Sequence, residues 1–324
     1  MKLSYALCVL GMTIVGSSVA VSRLVTAYPM LTGQALRYAV AAVLLFGVAR
    51  FFPAPVRTRP TRRDLTLLVA LGAVGLAAFN AFVLIGLRHA EPAVIGTAIG
   101  AAPLILALLG PVLAGRRPAT RLVTASAVVV AGTAVVEGLG RTDAIGLAAA
   151  VGALACEAAF SLLAAPLLPG LGAVRVSAYS CLLAVPLLVI GAVATGEVAA
   201  MRMPTLLEAV GLAYLAVFVT VVAFIAWFLG MQQLGVERAG VLVGVLPLAT
   251  LAVASIMDGQ LPELGAATGV LVVVAGLALP HITLPHISRR RRAALGREQA
   301  RPVYLGLPED SIQRPGSGRA ASLS

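Results

Sequence analysis

Hydrophobic runs of twenty residues or more follow one another along most of the chain, and short polar segments separate them. A helix needs about 20 residues to cross a hydrocarbon core of about 30 Å. An all-α integral membrane protein is therefore predicted, because the first run is too long for a cleaved signal peptide and nine more follow it. Its ten spans are expected near 3–26, 30–51, 65–87, 92–114, 119–138, 144–167, 174–195, 206–231, 237–257 and 263–284.

The polar segments predict the orientation of the chain, because loops rich in arginine and lysine stay in the cytoplasm. With the N-terminus inside, three basic residues face outward: Arg88, Arg141 and Arg202. The other loops and ends carry Lys2, Arg50, Arg57, Arg59, Arg62, Arg63, Arg116, Arg117, Arg121, Arg175, Arg238 and the arginines of the tail. Both termini are therefore predicted to be cytoplasmic. The segment 287–324 begins with four consecutive arginines and continues with polar residues, proline and glycine, which predicts a disordered basic tail.

Composition excludes several classes of function. The chain is 60% hydrophobic and 11% charged, and its net charge of +11 comes from arginines in loops rather than from a nucleic-acid-binding face. The three cysteines, Cys8, Cys156 and Cys181, lie in apolar runs without disulfide or metal-ligand spacing, and the histidines lack the spacing of a helical metal pair. No metal or cofactor is predicted.

An internal repeat appears when the chain is compared with itself at an offset of 144 residues. The run 128–132 (Val-Val-Val-Ala-Gly) matches the run 272–276, and further glycines and prolines match at the same offset. Five helices per half is an odd number, so the two halves enter the membrane from opposite sides. The sequence therefore predicts two inverted five-helix repeats, at 1–138 and 139–286. Loop charge agrees, because Arg116 and Arg117 of the first half correspond to Gln260 and Leu261 of the second.

The repeated pattern Pro103, Gly115, Ala131-Gly132 and Pro247, Gly259, Ala275-Gly276 resembles the EamA-type branch of the drug/metabolite transporter superfamily. Pro29, Arg37 and Tyr38 in span two are also similar to that family's pattern. The resemblance covers about residues 3–284. It departs from the family where a Gly-Glu pair is usual, since the chain has Gly115-Arg116 and Gly259-Gln260 there. The resemblance implies a transporter of amino acids, nucleosides, sugars or drugs.

Glu157 is the candidate for chemistry, because it is the acidic residue placed deep inside a predicted span. An ionised carboxylate in a membrane is costly and is by default a functional-site hypothesis. Proton coupling, or attraction of a cationic group on the substrate, is one interpretation. An interhelical hydrogen bond, or an ion pair with Arg37, is the other.

Other polar residues in the spans are weaker candidates. Arg37 is left open between substrate contact and structural pairing, whereas Arg23 lies near a helix end and is expected to reach the headgroups. The remaining candidates for a cavity lining are Asn80, Ser17, Ser161 and Trp227, with Gln34 and Ser18 behind them. Such residues more often join helices than bind ligands.

Small residues at a four-residue spacing recur in spans four and nine. Gly96 and Gly100 match Gly240 and Gly244, and a proline follows three residues later in each span. Such spacing permits close helix approach, and proline can bend a helix. We therefore expect spans four and nine to pack against each other through these glycines. Pro103 and Pro247, three residues further along, are expected to bend the two helices.

The sequence favours a secondary transporter, because no phosphate-binding loop, catalytic triad or metalloprotease motif is present. Its predicted partners are a small metabolite or drug-like solute and the lipid bilayer, with the protein a monomer or a homodimer, and export is the expected direction. The alternatives are a lipid-modifying membrane enzyme and a non-transporting interaction protein. An enzyme would need a second catalytic group near Glu157. Arginine-rich, lysine-poor composition suggests a bacterial cytoplasmic membrane.

Overall fold

Helices account for the architecture of the computed structural model, which describes residues 2–52, 59–138, 140–259 and 264–281. The predicted tail and the predicted position of Arg57 lie outside the described residues. The α-helices are α1 (Lys2–Ser22), α2 (Met30–Val48), α3 (Arg62–Ala70), α4 (Phe79–His89), α5 (Pro92–Ile99), α6 (Ala102–Leu113), α7 (Thr120–Glu137), α8 (Ala144–Ala164), α9 (Leu168–Leu171), α10 (Ala173–Ala194), α11 (Leu206–Tyr214), α12 (Ala223–Leu234), α13 (Val236–Val241), α14 (Val245–Asp258) and α15 (Leu264–Ala278).

Short segments of other helical types complete the chain. Two π-helical stretches, π1 (Leu71–Ala78) and π2 (Leu215–Val222), join α3 to α4 and α11 to α12 without a break. Turns of 3-10 helix follow α1 at Arg23–Val25 and α13 at Leu242–Gly244. Two more lie at Glu197–Ala200 and Leu279–His281.

Eight helical segments of the described residues are long and apolar enough to cross a membrane. Two shorter apolar helices, Lys2–Ser18 and Leu264–Ala278, lie where spans one and ten are predicted. The structure thus confirms an all-helical fold with membrane-spanning helices, while the count of ten stays a prediction.

The repeat in the sequence is also a repeat in the structure. At the offset of 144 residues, α3 corresponds to α11, π1 to π2, and the start of α4 to the start of α12. The first turns are built alike as well. Thr61 and Asp64 cap α3 reciprocally through side chain and backbone, and Thr205 and Glu208 cap α11 in the same way.

Symmetric helix pairs hold the two halves together. The equivalent helices α2 and α10 pack on each other. The contact of α1 with α12 is likewise equivalent to the contact of α8 with α4. The pair α7 and α15 is joined through glycines, because a Cβ at Gly132 would lie 2.7 Å from the Val273 amide nitrogen and a Cβ at Gly269 would lie 2.7 Å from that of Val136. Such contacts bring two backbones together as small residues do in membrane helices.

Contacts between loops and helix ends distinguish two faces of the molecule. The face where α1 begins, here called the N-terminal face, brings Ser4 to Gln233 at 2.6 Å and Arg116 to Glu237 at 3.0 Å. At the opposite face, the Glu197 carboxylate accepts hydrogen bonds from the Leu31 and Thr32 amides at 2.8 and 3.2 Å. A carboxylate there caps the otherwise unsatisfied amides at the start of α2.

The connection between the two sequence halves is fixed at the opposite face by two ion pairs. Arg141 Nε donates to Glu91 at 3.0 Å, and His89 Nδ1 lies 2.9 Å from Asp143. The hydrogen bond from Arg141 holds the pKa of Glu91 below its usual value. The pKa of Asp143 lies below its usual value, chiefly because its carboxylate accepts a hydrogen bond from the Gly146 amide and secondly because it is hydrogen-bonded to His89. Both pairs tie the start of α8 to the end of α4 and the start of α5.

Candidate functional site

Arg37 is the centre of a polar cluster in the interior of the helical bundle. It lies seven residues after the start of α2, about 10 Å along the helix from the opposite face. Its Nε donates a hydrogen bond of 2.7 Å to the Thr220 hydroxyl in π2, and its Nη1 donates one of 3.2 Å to Gln34. The guanidinium carbon also lies 5.2 Å from the centre of the Tyr38 ring. A half-buried cation is thereby held in one orientation.

The π-helical stretch π2 supplies the partner of Arg37. Thr220 is fully buried and donates its own proton to the Leu215 carbonyl, five residues earlier, at 3.0 Å. That leaves the hydroxyl oxygen to accept from the guanidinium. A π-helical turn shifts its side chains out of the regular helical register and often marks a functional site.

The equivalent stretch π1 also receives a polar side chain. Asn80 is buried, and its amide donates to the Leu76 carbonyl in π1 at 2.8 Å and to the Tyr38 hydroxyl at 3.3 Å. Leu76 corresponds to Thr220 at the repeat offset. Tyr38 therefore joins the two π-helical stretches, through Asn80 on one side and the face of Arg37 on the other.

Glu157 lies on α8, thirteen residues from its start, and its side chain is half-buried. Among the described residues no hydrogen bond or ion pair holds its carboxylate, and Arg37 bonds to Thr220 and Gln34 instead. Its helix α8 packs on π1, the stretch that Asn80 joins to Tyr38. The two charged residues thus belong to one region without forming a salt bridge.

Ser161 and Trp227 form a direct contact one turn beyond Glu157. The indole nitrogen of Trp227 donates to the Ser161 hydroxyl at 3.2 Å, and both side chains are buried. Phe160 stacks on Phe228 with ring centres 5.1 Å apart, and Phe224 lies 5.0 Å from Phe160. These aromatic contacts join α8 to α12.

Ser17 lies apart from Arg37, in the contact between α1 and the second repeat. Its hydroxyl shares a hydrogen bond of 2.7 Å with the Tyr214 hydroxyl, and it also donates to the Ile14 carbonyl. Tyr214 stacks on Phe218 at 5.1 Å. Ser17 therefore joins helices in this structure.

The glycines of spans four and nine lie against larger side chains and not against one another. The nearest atoms to a Cβ at Gly96 belong to Glu137, and Gly100 approaches Thr133, so both glycines pack on α7. Gly240 packs on Leu106 of α6, and Gly244 packs on Val129 of α7. Spans four and nine therefore contact each other through Gly240 on Leu106, whereas Gly96, Gly100 and Gly244 accommodate side chains of α7.

The two prolines mark breaks in their helices. Span four is divided into α5 and α6 just before Pro103, which occupies the first turn of α6. Span nine is divided into α13, a 3-10 turn and α14, with Pro247 near the start of α14. Proline is tolerated at such starts because its missing amide proton would be unsatisfied there anyway.

Among the described residues the broken spans pack on each other at one face, and this contact of α6 with α13 is here called the gate. At the N-terminal face, α6 packs on α13 through Leu106 on Gly240, Gly110 faces Val236, and Arg116 pairs with Glu237 at 3.0 Å. The equivalent helices at the opposite face, α5 and α14, form no comparable interface. There α5 packs on α7 and α8, while the Thr250 hydroxyl of α14 donates to the Gly16 carbonyl of α1 at 3.0 Å.

Several residues of the site were missed in the sequence. Thr220 and Glu137 are polar residues in apolar runs. The position of Thr220 opposite Leu76 in the repeat was the available signal, because it breaks the symmetry of the two halves as Glu157 does. Glu137 is a half-buried acid at the end of α7 that contacts Gly96. Among the described residues, histidine, cysteine and acidic side chains do not form a group of three that could hold a metal.

Comparison with known proteins decides the family. The model of the EamA-like transporter family matches two segments, 2–137 and 144–280. The chain belongs to this family. Both matches coincide with the structural repeat, so each is one EamA repeat.

Two further similarities agree with the EamA assignment. The chain is 25% identical to the uncharacterized transporter YetK of Bacillus subtilis (strain 168), over 85% of each chain. It is also similar in fold to a protein of known crystal structure, with a TM-score of 0.70 and 19% identity, over 85% of this chain and 96% of the other. Family membership and the apolar helices together support a multi-pass membrane transporter.

Proposed function

We propose that this EamA protein is a secondary transporter that exports a small, amino-acid-like metabolite across the bacterial cytoplasmic membrane in ten crossings. The observation that carries the proposal is the pair of opposite charges in the bundle interior. Arg37 is held as a fixed cation by Thr220 and Gln34, while the Glu157 carboxylate has no partner among the described residues. A carboxylate on the substrate would bind the first charge and an ammonium group the second.

Proton coupling through Glu157 is part of the proposal. A carboxylate without a cationic partner in a membrane interior must be solvated, paired or protonated. An ammonium group of the substrate and a proton would then compete for the same oxygens. Binding one would release the other, which is the minimum requirement for exchange transport.

The asymmetric gate supports alternating access in this protein. Inverted repeats exchange roles when a transporter turns from one side to the other. In the present state α6 and α13 close the N-terminal face, while α5 and α14 leave the opposite face without an equivalent closure. We propose that the other state has α5 on α14 and α6 apart from α13.

The other functional classes receive less support from the site. An enzyme needs a second catalytic group near Glu157, and the polar side chains described above bond to one another instead, Asn80 to Tyr38 and Trp227 to Ser161. A pure interaction protein has no need of a half-buried pair of opposite charges or of a gate. Transport uses all of these features.

Substrate identity is tested by comparing the metabolites of cells that overexpress the gene with those of cells that lack it. We expect a zwitterionic amino acid or close analogue to accumulate in the medium of the overexpressing cells. The purified protein in proteoliposomes should then exchange that compound. Transport of a solute that has no charged groups, or only cationic ones, without transport of any zwitterion would contradict the proposal.

Orientation is tested by reporter fusions. We propose that the N-terminal face is cytoplasmic, since Arg50, Arg62, Arg116 and Arg117 lie at helix ends on that face. Fusions after Arg63 and Arg117 are expected to report the cytoplasm, and fusions near Arg141 and Arg202 the outside. A cytoplasmic signal at Arg141 would contradict this orientation.

A further inference from the structure

A cavity of about 290 Å³ lies at the N-terminal face, away from the central polar cluster. It is formed where the start of α1, the start of α7, the helix α13 and the end of α15 meet. Its lining combines two arginines and a tyrosine with aliphatic side chains: Tyr5, Arg121, Arg238, Leu122, Val241, Leu242 and Leu277, with Ala119 and Pro280 at the edge.

The charge of the cavity is positive. Arg121 is fixed beside it, because its Nε and Nη2 both donate to the Leu279 carbonyl, at 3.2 and 3.0 Å. Arg238 is exposed and comes from α13. None of the described residues that line the cavity is acidic, and the neighbouring Glu237 pairs with Arg116 on α6. Two guanidinium groups at one opening favour a phosphate or carboxylate ligand.

The aliphatic wall restricts the choice of ligand. A small hydrated anion would gain nothing from an aliphatic wall. A molecule with an anionic head and an apolar chain would contact both the arginines and the aliphatic residues Leu122, Val241, Leu242 and Leu277. Basic pockets between membrane helices on the cytoplasmic side are suited to anionic lipid headgroups.

We propose that this cavity binds the phosphate headgroup of an anionic phospholipid, between Arg121 and Arg238, with the start of an acyl chain on the aliphatic wall.

Such a lipid would join the gate helix α13 to α7. Arg121 belongs to α7 and Arg238 to α13, and α13 contacts both α7 and α6 in the present state. A headgroup held by both arginines therefore stabilises the state in which α6 and α13 are closed. This consequence, unlike the binding itself, rests on the proposed transport function.

Binding is measured on the purified full-length protein, by titrating short-chain phosphatidylglycerol and phosphatidylcholine and counting bound lipid by native mass spectrometry. We expect phosphatidylglycerol to bind on the order of tenfold more weakly to Arg121→Gln/Arg238→Gln than to wild type, since each basic residue near a lipid surface contributes to binding. Arg117→Gln removes one arginine from an exposed position outside the cavity, as Arg238→Gln removes one inside it, and is expected to bind like wild type. Arg238→Gln alone replaces an exposed side chain and provides the test if the double variant does not fold.

Three results would overturn the lipid site: equal binding by wild type and the folded arginine variants, equal loss in Arg117→Gln, or displacement of the lipid by millimolar inorganic phosphate. The last would assign the arginines to a soluble anion. None of these measurements depends on transport, so failure of the proposed function would leave them unchanged.

The effect on the gate has a separate measurement. Leu106 is buried under Gly240, and the native cysteines are buried, so a Leu106→Cys protein reports opening through its rate of maleimide labelling. Phosphatidylglycerol is expected to slow this labelling several-fold, and not to slow it when both arginines are replaced. Labelling that is indifferent to the lipid would overturn the link to the gate.

Discussion

Replacing Arg37 with glutamine is expected to lower the rate of substrate exchange in proteoliposomes at least tenfold. Arg37 is the cation that we place against the substrate carboxylate, and its orientation is fixed by Thr220 and Gln34. A charge-assisted hydrogen bond contributes about 1.5–3 kcal/mol, and about 1.4 kcal/mol corresponds to a factor of ten in binding. Glutamine retains hydrogen-bonding capacity but carries no charge.

The variant Arg37→Lys separates charge from shape. Lysine keeps the positive charge but has no planar fork with which to donate to Thr220 and Gln34 together while lying over Tyr38. We expect an intermediate rate, with the loss mainly in apparent substrate affinity. The matched control is Arg23→Gln, which removes an arginine at the exposed end of the preceding helix and should leave the rate near that of wild type.

A folded Arg37→Gln protein that exchanges substrate at the wild-type rate would assign Arg37 to helix packing. Folding is checked by gel filtration and thermal unfolding, because Arg37 also joins α2 to π2. Thr220→Val provides the complementary test. It removes the hydrogen-bond acceptor while the charge stays, and it should lower the rate less than Arg37→Gln does.

The repeat was predictable from the sequence because glycine, proline and hydrophobic patterning all follow backbone geometry. The offset of 144 residues reappears in the bounds of α3 and α11 and in both capping boxes. The matching glycines at 132 and 276 were visible as well, and the structure places both in the contact between α7 and α15. Their role there follows from the close backbone approach that small residues permit.

The gate was not predictable in the same way, because it depends on how the symmetry is broken. Gly96 and Gly240 are equivalent in the sequence, yet one packs on Glu137 of α7 and the other on Leu106 of α6. A symmetric pattern is compatible with either closed face. The two states, with one face closed or the other, differ by a small free energy, and residue spacing in the sequence does not reveal such a difference.

The π-helical stretches were also beyond a reading of hydrophobic periodicity. Residues 71–78 and 215–222 are apolar runs that suit an ordinary α-helix equally well. Thr220, which accepts from Arg37, lies in π2, where the π-helical backbone shifts the register of the side chains. Consequently Arg37 was recognised as a candidate in the sequence, whereas its partner was not.

Replacing Glu157 with glutamine is expected to remove the dependence of transport on the pH gradient. Glutamine keeps the size and hydrogen-bonding capacity of the carboxyl group but cannot exchange a proton. The carboxylate of Glu157 has no partner among the described residues, so its replacement should leave the packing of α8 intact. We expect substrate exchange to be slower, because glutamine carries no charge to bind the ammonium group, and its rate no longer to change between about pH 6 and pH 8. Uphill transport driven by a proton gradient should be lost.

Glu137 provides the matched control for this experiment. It too is a half-buried glutamate, but it lies at the end of α7 against Gly96, away from Arg37 and Tyr38. Glu137→Gln is expected to keep the gradient dependence of wild type. The assignment of proton coupling to Glu157 would be refuted if Glu157→Gln kept this dependence, or if Glu137→Gln lost it instead. If Glu157→Gln failed to fold, an interaction with Arg37 would have to be reconsidered, and the exchanged pair Arg37→Glu/Glu157→Arg would test it, because a restored fold requires that the two charges meet.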